Sequence, residues 1–147
     1  MDSRNTVRLA VADDLTAVDK AVTWAAESAA AAGLGEAASF GLRVCLEEVL
    51  ANLVRHGRAS DGAKNIEVEL RVENREAVLE VSDSCSTYDP IRESPPPLAS
   101  ADDMRVGGQG LRLMRAFARE LAYATVGGRN TLTLRIGAPA VGIGNTP

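Results

Sequence analysis

The sequence predicts a single α+β domain, and three observations carry that prediction. A length of 147 residues suits one domain better than two. Apolar residues make up 46% of the chain, enough for a core of its own, and 24% are charged, the balance of an ordinary globular protein. Segments with helical periodicity then interleave with two hairpin signals, the pattern of α+β layering. That pattern leaves the strand order open.

Each element follows from local chemistry. Arg8 to Ala12 reads as a short first strand. Leu15, Val18, Val22, Ala25 and Ala29 recur at helical spacing through an Ala-rich run from Leu15 to Ala32. Asp13 or Asp14 can cap its start, and Gly33 and Gly35 stop it. The biased stretch AAESAAAA is more simply helix than disorder, because alanine is the best helix former. A second helix runs from about Ala38 to His56 and ends at Gly57; Leu42, Leu46, Val49, Leu50 and Leu53 share an arc roughly 100° wide that faces the core. On the adjoining stripe stand Cys45, Glu48, Asn52 and His56.

Strands Asn65 to Val72 and Ala77 to Ser82 form the first hairpin, with Ile66, Val68, Leu70 and Val72 alternating with polar residues and ENRE turning the chain. A long irregular stretch from Asp83 to about Val106 follows, carrying the prolines at 95 to 97; a loop of that length inside a compact domain is usually functional or mobile. A third helix begins after the glycines at 107, 108 and 110 and runs to about Arg119. The second hairpin pairs Leu121 to Val126 with Thr131 to Ile136 across Gly127-Gly128-Arg129-Asn130. From Ala138 onward, Gly and Pro with few anchors predict a frayed tail.

Composition narrows the function. Aromatic residues are 3% of the chain, too few for a base-stacking surface, and the net charge of −4 argues against a phosphate-backbone binder, so no direct nucleic-acid partner is expected. Cys45 and Cys85 share no CxxC spacing and are expected as free thiols in a reducing compartment; a single histidine excludes a zinc site. No segment approaches the roughly 20 apolar residues of a membrane span, and the N-terminus lacks a leader pattern, so no membrane partner and a cytoplasmic location are expected.

Three constellations can carry chemistry. In EEVLANLVRHG, residues 47 to 57, Glu48 and Asn52 are four apart and project from one helix face. A carboxylate beside a carboxamide oxygen suits a hard cation such as Mg2+, or the carboxylate can accept a proton. Taken alone, a solvated polar face is the simpler account. In VSDSCSTYDP, residues 81 to 90, a strand delivers Asp83 to the rim of the sheet. A buried carboxylate there can accept from the exocyclic amine of adenine; facing the oxygen of guanine it would be left unpaired, at a cost of ~1–3 kcal/mol. An Asp capping a turn is the bland alternative. In VGGQGLRLM, residues 106 to 114, glycines leading into a helix present N–H groups and the positive end of a dipole to an anion, although a linker before a helix reads the same way. No GxxxxGK[ST] is present, which rules out a P-loop.

In order, Glu48-x-x-x-Asn52-x-x-x-His56, Asp83 with Tyr88-Asp89-Pro90, and Gly107-Gly108-Gln109-Gly110-Leu111 resemble the three ATP-binding boxes of the GHKL superfamily of gyrase, histidine kinases and anti-sigma kinases. The short length and the closing GRNTLTLRI resemble the anti-sigma serine/threonine kinase branch. The resemblance spans about Arg8 to Ile136, giving a domain at 1–137 and a tail at 138–147. It implies a Bergerat fold: a mixed, mostly antiparallel sheet with helices on one face and ATP between sheet and lid, the lid running from Tyr88 to Val106. By the same resemblance Asn52 coordinates Mg2+, Glu48 is the general base, Asp83 reads adenine, and Gly108 and Gly110 approach the phosphates. Tyr88, Arg105, Gly107, Leu111 and Thr131 would also line the nucleotide, while His56 is structural. The implied function is transfer of phosphate from Mg-ATP to a Ser or Thr of a STAS-type anti-anti-sigma partner and sequestration of a sigma factor, with a homodimer among the assemblies it allows. One position departs from the family: Cys85 stands where the second box has Gly, which suits positive φ and close approach of the base better. A partner-binding module of the same fold with weak or no nucleotide binding is therefore the rival expectation.

Overall fold

The structure, a computed structural model, describes residues 6–59, 62–86 and 109–137. The elements are β1 (Thr6–Val11), α1 (Leu15–Ala31), α2 (Glu36–His56), β2 (Ile66–Glu73), β3 (Glu76–Asp83), α3 (Gln109–Phe117), β4 (Ala118–Val126) and β5 (Arg129–Ile136). The strands form one five-stranded sheet in the order β1-β2-β3-β5-β4. Among the described residues every pairing in it is antiparallel, in keeping with the α+β sandwich and the mostly antiparallel sheet expected, without the parallel pairing that a mixed sheet would add. The residues from 138 on, expected as a frayed tail, lie outside the described ones.

Alternation along each strand decides which face meets the helices. Val68 and Leu70 of β2, Leu79 and Val81 of β3, and Leu132, Leu134 and Ile136 of β5 are buried, and the register sets them side by side: Val68 opposite Val81, Val81 opposite Leu132, Leu79 opposite Leu134. Leu42, Leu46 and Leu50 of α2, Val18, Ala21 and Ala25 of α1, and Met114 of α3 complete this core. The other face is largely polar, with Val78 buried on it between Arg71 and Arg135.

Asp14 caps α1, its Oδ1 accepting the Ala17 N–H at 2.7 Å. The helix ends in a Schellman arrangement: the N–H of Leu34 donates to the Ala29 carbonyl and that of Gly33 to Ala30, with Gly33 at φ +92°. Leu15 departs from expectation. It is 46% exposed because the buried stripe of α1 runs Val18, Ala21, Ala25, Ala29. The turn Asn74-Arg75 has both φ positive, and so does Gly127-Gly128, the geometry that two-residue hairpins require. In the second case glycine supplies it without strain.

The third helix also differs at its end: it stops at Phe117, and Arg119 belongs to β4. Neither Gly nor Pro marks that boundary. Arg119 is held instead by tertiary contacts, its Nε and Nη2 donating to the Glu76 carboxylate at 2.7 and 2.8 Å.

Candidate functional site

The C-terminus of α2, the segment after it, the end of β3 and the start of β5 meet at one end of the sheet. Lys64 ties the first two together. Its Nζ donates to the carbonyls of Leu53 and Val54 at 2.9 and 3.0 Å and to Asp13 Oδ1 at 2.8 Å, so a cation meets the carbonyls at the end of α2, where Leu53 also accepts the Gly57 N–H. The same segment holds the turn after β3: Ser84 N–H donates to the Lys64 carbonyl at 2.7 Å and Ser86 N–H to the Arg58 carbonyl at 2.6 Å. From the outer face, Arg129 donates to the Ser84 and Ser82 hydroxyls at 3.2 and 2.9 Å.

Asp83, the last residue of β3, is 6% exposed. Its Oδ1 accepts the Cys85 N–H and the Asn130 side-chain amide, each at 2.9 Å. Asn130 is the second residue of β5, on the helix-facing side and opposite Asp83 in the register, and is 2% exposed. Sequence reasoning placed it in the turn and missed it. The signal was there: counting back by two from Ile136, Leu134 and Leu132 lands on Asn130.

Cys85 is buried with its thiol packed toward the end of α2. A Cβ at Gly57 would stand 2.6 Å from the Leu53 carbonyl oxygen and 2.8 Å from the Cys85 sulfur, so the backbone of α2 already requires glycine there and the thiol uses the same space. Cys85 is not among the residues with positive φ, so the backbone does not demand the glycine that the family carries. Burial first, then the neighbouring Asp83 carboxylate, pushes the Cys85 thiol up to about 11. Cys45 is raised by burial to about 12. Both thiols are free and neither is set up as a nucleophile.

On α2 the expected stripe runs from fully buried Cys45 through half-buried Glu48 and Asn52 to exposed His56. Asn52 Nδ2 donates to Glu48 Oε2 at 3.0 Å. That bond turns the amide nitrogen toward the carboxylate and leaves Oδ1, the only kind of amide atom a hard cation accepts, as the outward acceptor. Asn52 precedes Gly57 by five residues, about 7.5 Å along the helix axis. The metal-suited pair thus stands about a turn and a half from the Cys85 contact.

The remaining expected site residues fall as follows. Gly110 and Leu111 lie in the first turn of α3. Tyr88, Arg105, Gly107 and Gly108 lie outside the described residues, as does the expected lid. Thr131 is not brought to this cluster: it pairs with Ser82 and Ala124 and shares the outer face with them, one residue out of phase with Asn130.

An α+β sandwich with a carboxylate–carboxamide pair on its central helix and a buried Asp ending a middle strand agrees with comparison to known proteins. The chain belongs to the histidine kinase-like ATPase domain family, whose model matches residues 11–136. It is similar to the serine/threonine-protein kinase BtrW of Bordetella bronchiseptica, with 43% identity over 96 residues that make up 65% of this chain and 68% of that protein. A solved structure, the Acinetobacter baumannii histidine kinase AdeS, aligns with 89% of this chain and 67% of its own at 16% identity and a TM-score of 0.45. The expected GHKL membership on the serine/threonine kinase side holds, and an ATPase family implies an ATP site. No helix among the described residues is long and apolar enough to cross a membrane.

Proposed function

We propose that this chain is an anti-sigma regulator that transfers the γ-phosphoryl group of Mg-ATP to a Ser or Thr of a STAS-type anti-anti-sigma partner, and that holds a sigma factor when that partner is unavailable. The observation that carries the reading is the Glu48–Asn52 pair, with the amide oriented so that its oxygen is free. The Asn52 carboxamide oxygen would hold Mg2+ together with phosphate oxygens and water, leaving the Glu48 carboxylate for the proton. When bound, the ion neutralises charge on the phosphoryl oxygens. Asn52 orients it, and Glu48 accepts the proton of the attacking hydroxyl. Asp83 takes the base. The relationship to BtrW, a protein named as a serine/threonine kinase, supports a hydroxyl acceptor.

Glu48→Ala is expected to leave ATP binding within about threefold of the parent while phosphate transfer falls by a factor of about 10² or more. Radiolabelled phosphate reaching a STAS partner at the parent rate would remove Glu48 from this role. Calorimetric titration with ATP and Mg2+ tests the whole reading. A chain that gives neither heat nor a thermal shift is the partner-binding module instead, the outcome that Cys85 in place of glycine favours.

A further inference from the structure

We propose that Lys64 is a positioning residue for the cation: its ammonium braces the last turn of α2 and so fixes where the Asn52 amide oxygen stands. The inference rests on the reading of Asn52 as the ligand of Mg2+, and it adds what keeps that ligand in place.

Asn52 stands where a helix is least secure. The helix α2 ends at His56, four residues on, and helix ends fray. Glu48, one turn earlier, is flanked by buried Leu46, Val49 and Leu50. Beyond Asn52 the burial fades: Leu53 and Val54 are half-buried, and Arg55 and His56 are exposed. Gly57 then leaves the helix in extended backbone, at φ −66° and ψ 145°, with its N–H on the Leu53 carbonyl. Among the described residues no N–H from beyond the helix reaches the Val54 carbonyl.

The Lys64 ammonium supplies the missing hold. It has three donor hydrogens and three acceptors at 2.8 to 3.0 Å: the carbonyls of Leu53 and Val54, the two residues directly after Asn52, and Asp13 Oδ1. All three hydrogens are committed to the protein. The main chain of Lys64 is anchored in turn, because its carbonyl accepts the Ser84 N–H at 2.7 Å. The last turn of α2 is thus tied to the turn after β3 and to the start of α1 through one side chain.

Mg2+ makes that hold matter. It demands near-ideal octahedral geometry at about 2.0–2.1 Å, so a carboxamide displaced by about 0.5 Å no longer fits well. A substitution at Lys64 frees the end of α2 and leaves the main-chain bond to Ser84 in place. The loss should therefore fall on the cation and not on the nucleotide as a whole.

The test uses the whole chain, with ATP titrated by calorimetry once in Mg2+ and once in EDTA. The readout is the gain in ATP affinity that Mg2+ brings. Lys64→Met keeps the aliphatic stem and removes the ammonium; the gain is expected to shrink about tenfold, while affinity in EDTA stays within about twofold of the parent. Asp13→Ala takes away the counter-charge of the ammonium and is expected to shrink the gain about threefold. A role in stability alone would weaken ATP equally in both buffers. Parallel weakening, or an unchanged gain, in folded Lys64→Met overturns the proposal, and if that variant does not fold, either result in Asp13→Ala does so. A parent whose ATP affinity ignores Mg2+ overturns the reading of Asn52 as a ligand instead. A parent that binds no ATP in either buffer overturns the nucleotide pocket, a distinct failure.

Discussion

Lys64 carries more of the local architecture than its place in a connecting segment suggests. Its ammonium meets two main-chain oxygens of α2 and the Asp13 carboxylate, and only 11% of its side chain is exposed. Lys64→Met retains the aliphatic stem and takes the ammonium from both carbonyls, of which Leu53 keeps the Gly57 N–H, so unfolding free energy is expected to drop by about 1–3 kcal/mol in urea titrations. A drop below about 0.5 kcal/mol would show that water replaces the ammonium without loss. Nothing in the sequence pointed to this lysine, because the pairing joins residues 51 apart with no periodic signature. Glu48, Asn52 and Asp83 were legible for the opposite reason: a fixed four-residue helical spacing and a strand end are local patterns. Asn130 lay between these cases. Its parity was readable, but turn chemistry at Gly127-Gly128 drew the boundary one residue too far, and that single step exchanged Asn130 for Thr131.

Among the elements, α2 and α3 approach closely at Gly41. A Cβ there would stand 2.7 Å from Phe117 Cδ1 and 3.1 Å from Ile136 Cγ2. Alanine favours helix over glycine by about 1 kcal/mol, whereas overfilling a packed contact costs about 1–3 kcal/mol. Gly41→Ala should therefore destabilise by about 1 kcal/mol, and Phe117→Leu in the same chain should recover part of it. Additive losses in the double variant, measured by thermal unfolding, would show that the two residues do not share the contact. At this scale most elements were visible, since α2, β2, β3 and β5 carry strong periodicity. The α3–β4 junction was not. A helix that passes directly into a strand leaves no Gly or Pro to mark the change, and what fixes it, Arg119 on Glu76, is a contact across 43 residues.

Across the whole molecule, the sheet divides the charge. The helix-facing side is apolar apart from Asp83 and Asn130 among the buried residues described, while the outer side carries a lattice of Arg and Glu. Arg135 reaches Glu73 at 3.1 Å and Glu120 at 3.4 Å, and Arg119 grips Glu76, so these pairs join β2, β3, β5 and β4. The hydrogen bond from Arg119, and then the charge of Arg119, hold the Glu76 carboxyl below its ordinary value of 4.5 despite partial burial. A lowered folded value means that the stabilisation is present above 4.5 and is lost as pH falls through the lowered value. Glu76→Gln should accordingly flatten the acid limb of the stability curve below pH ~4.5, by about 1 kcal/mol or less because water and salt reach Arg119. Identical acid limbs for the two proteins, followed by circular dichroism, would show that the pair contributes nothing.

The sulfur of Cys85 and the bare backbone of Gly57 occupy one volume between them. The constraint is one-sided: the Leu53 carbonyl oxygen, 2.6 Å from where a Cβ at 57 would stand, closes that position whatever fills 85. Homologous chains should thus keep glycine at 57 whether residue 85 is bare or not, and it is the bareness of 57 that leaves room for the sulfur at 85.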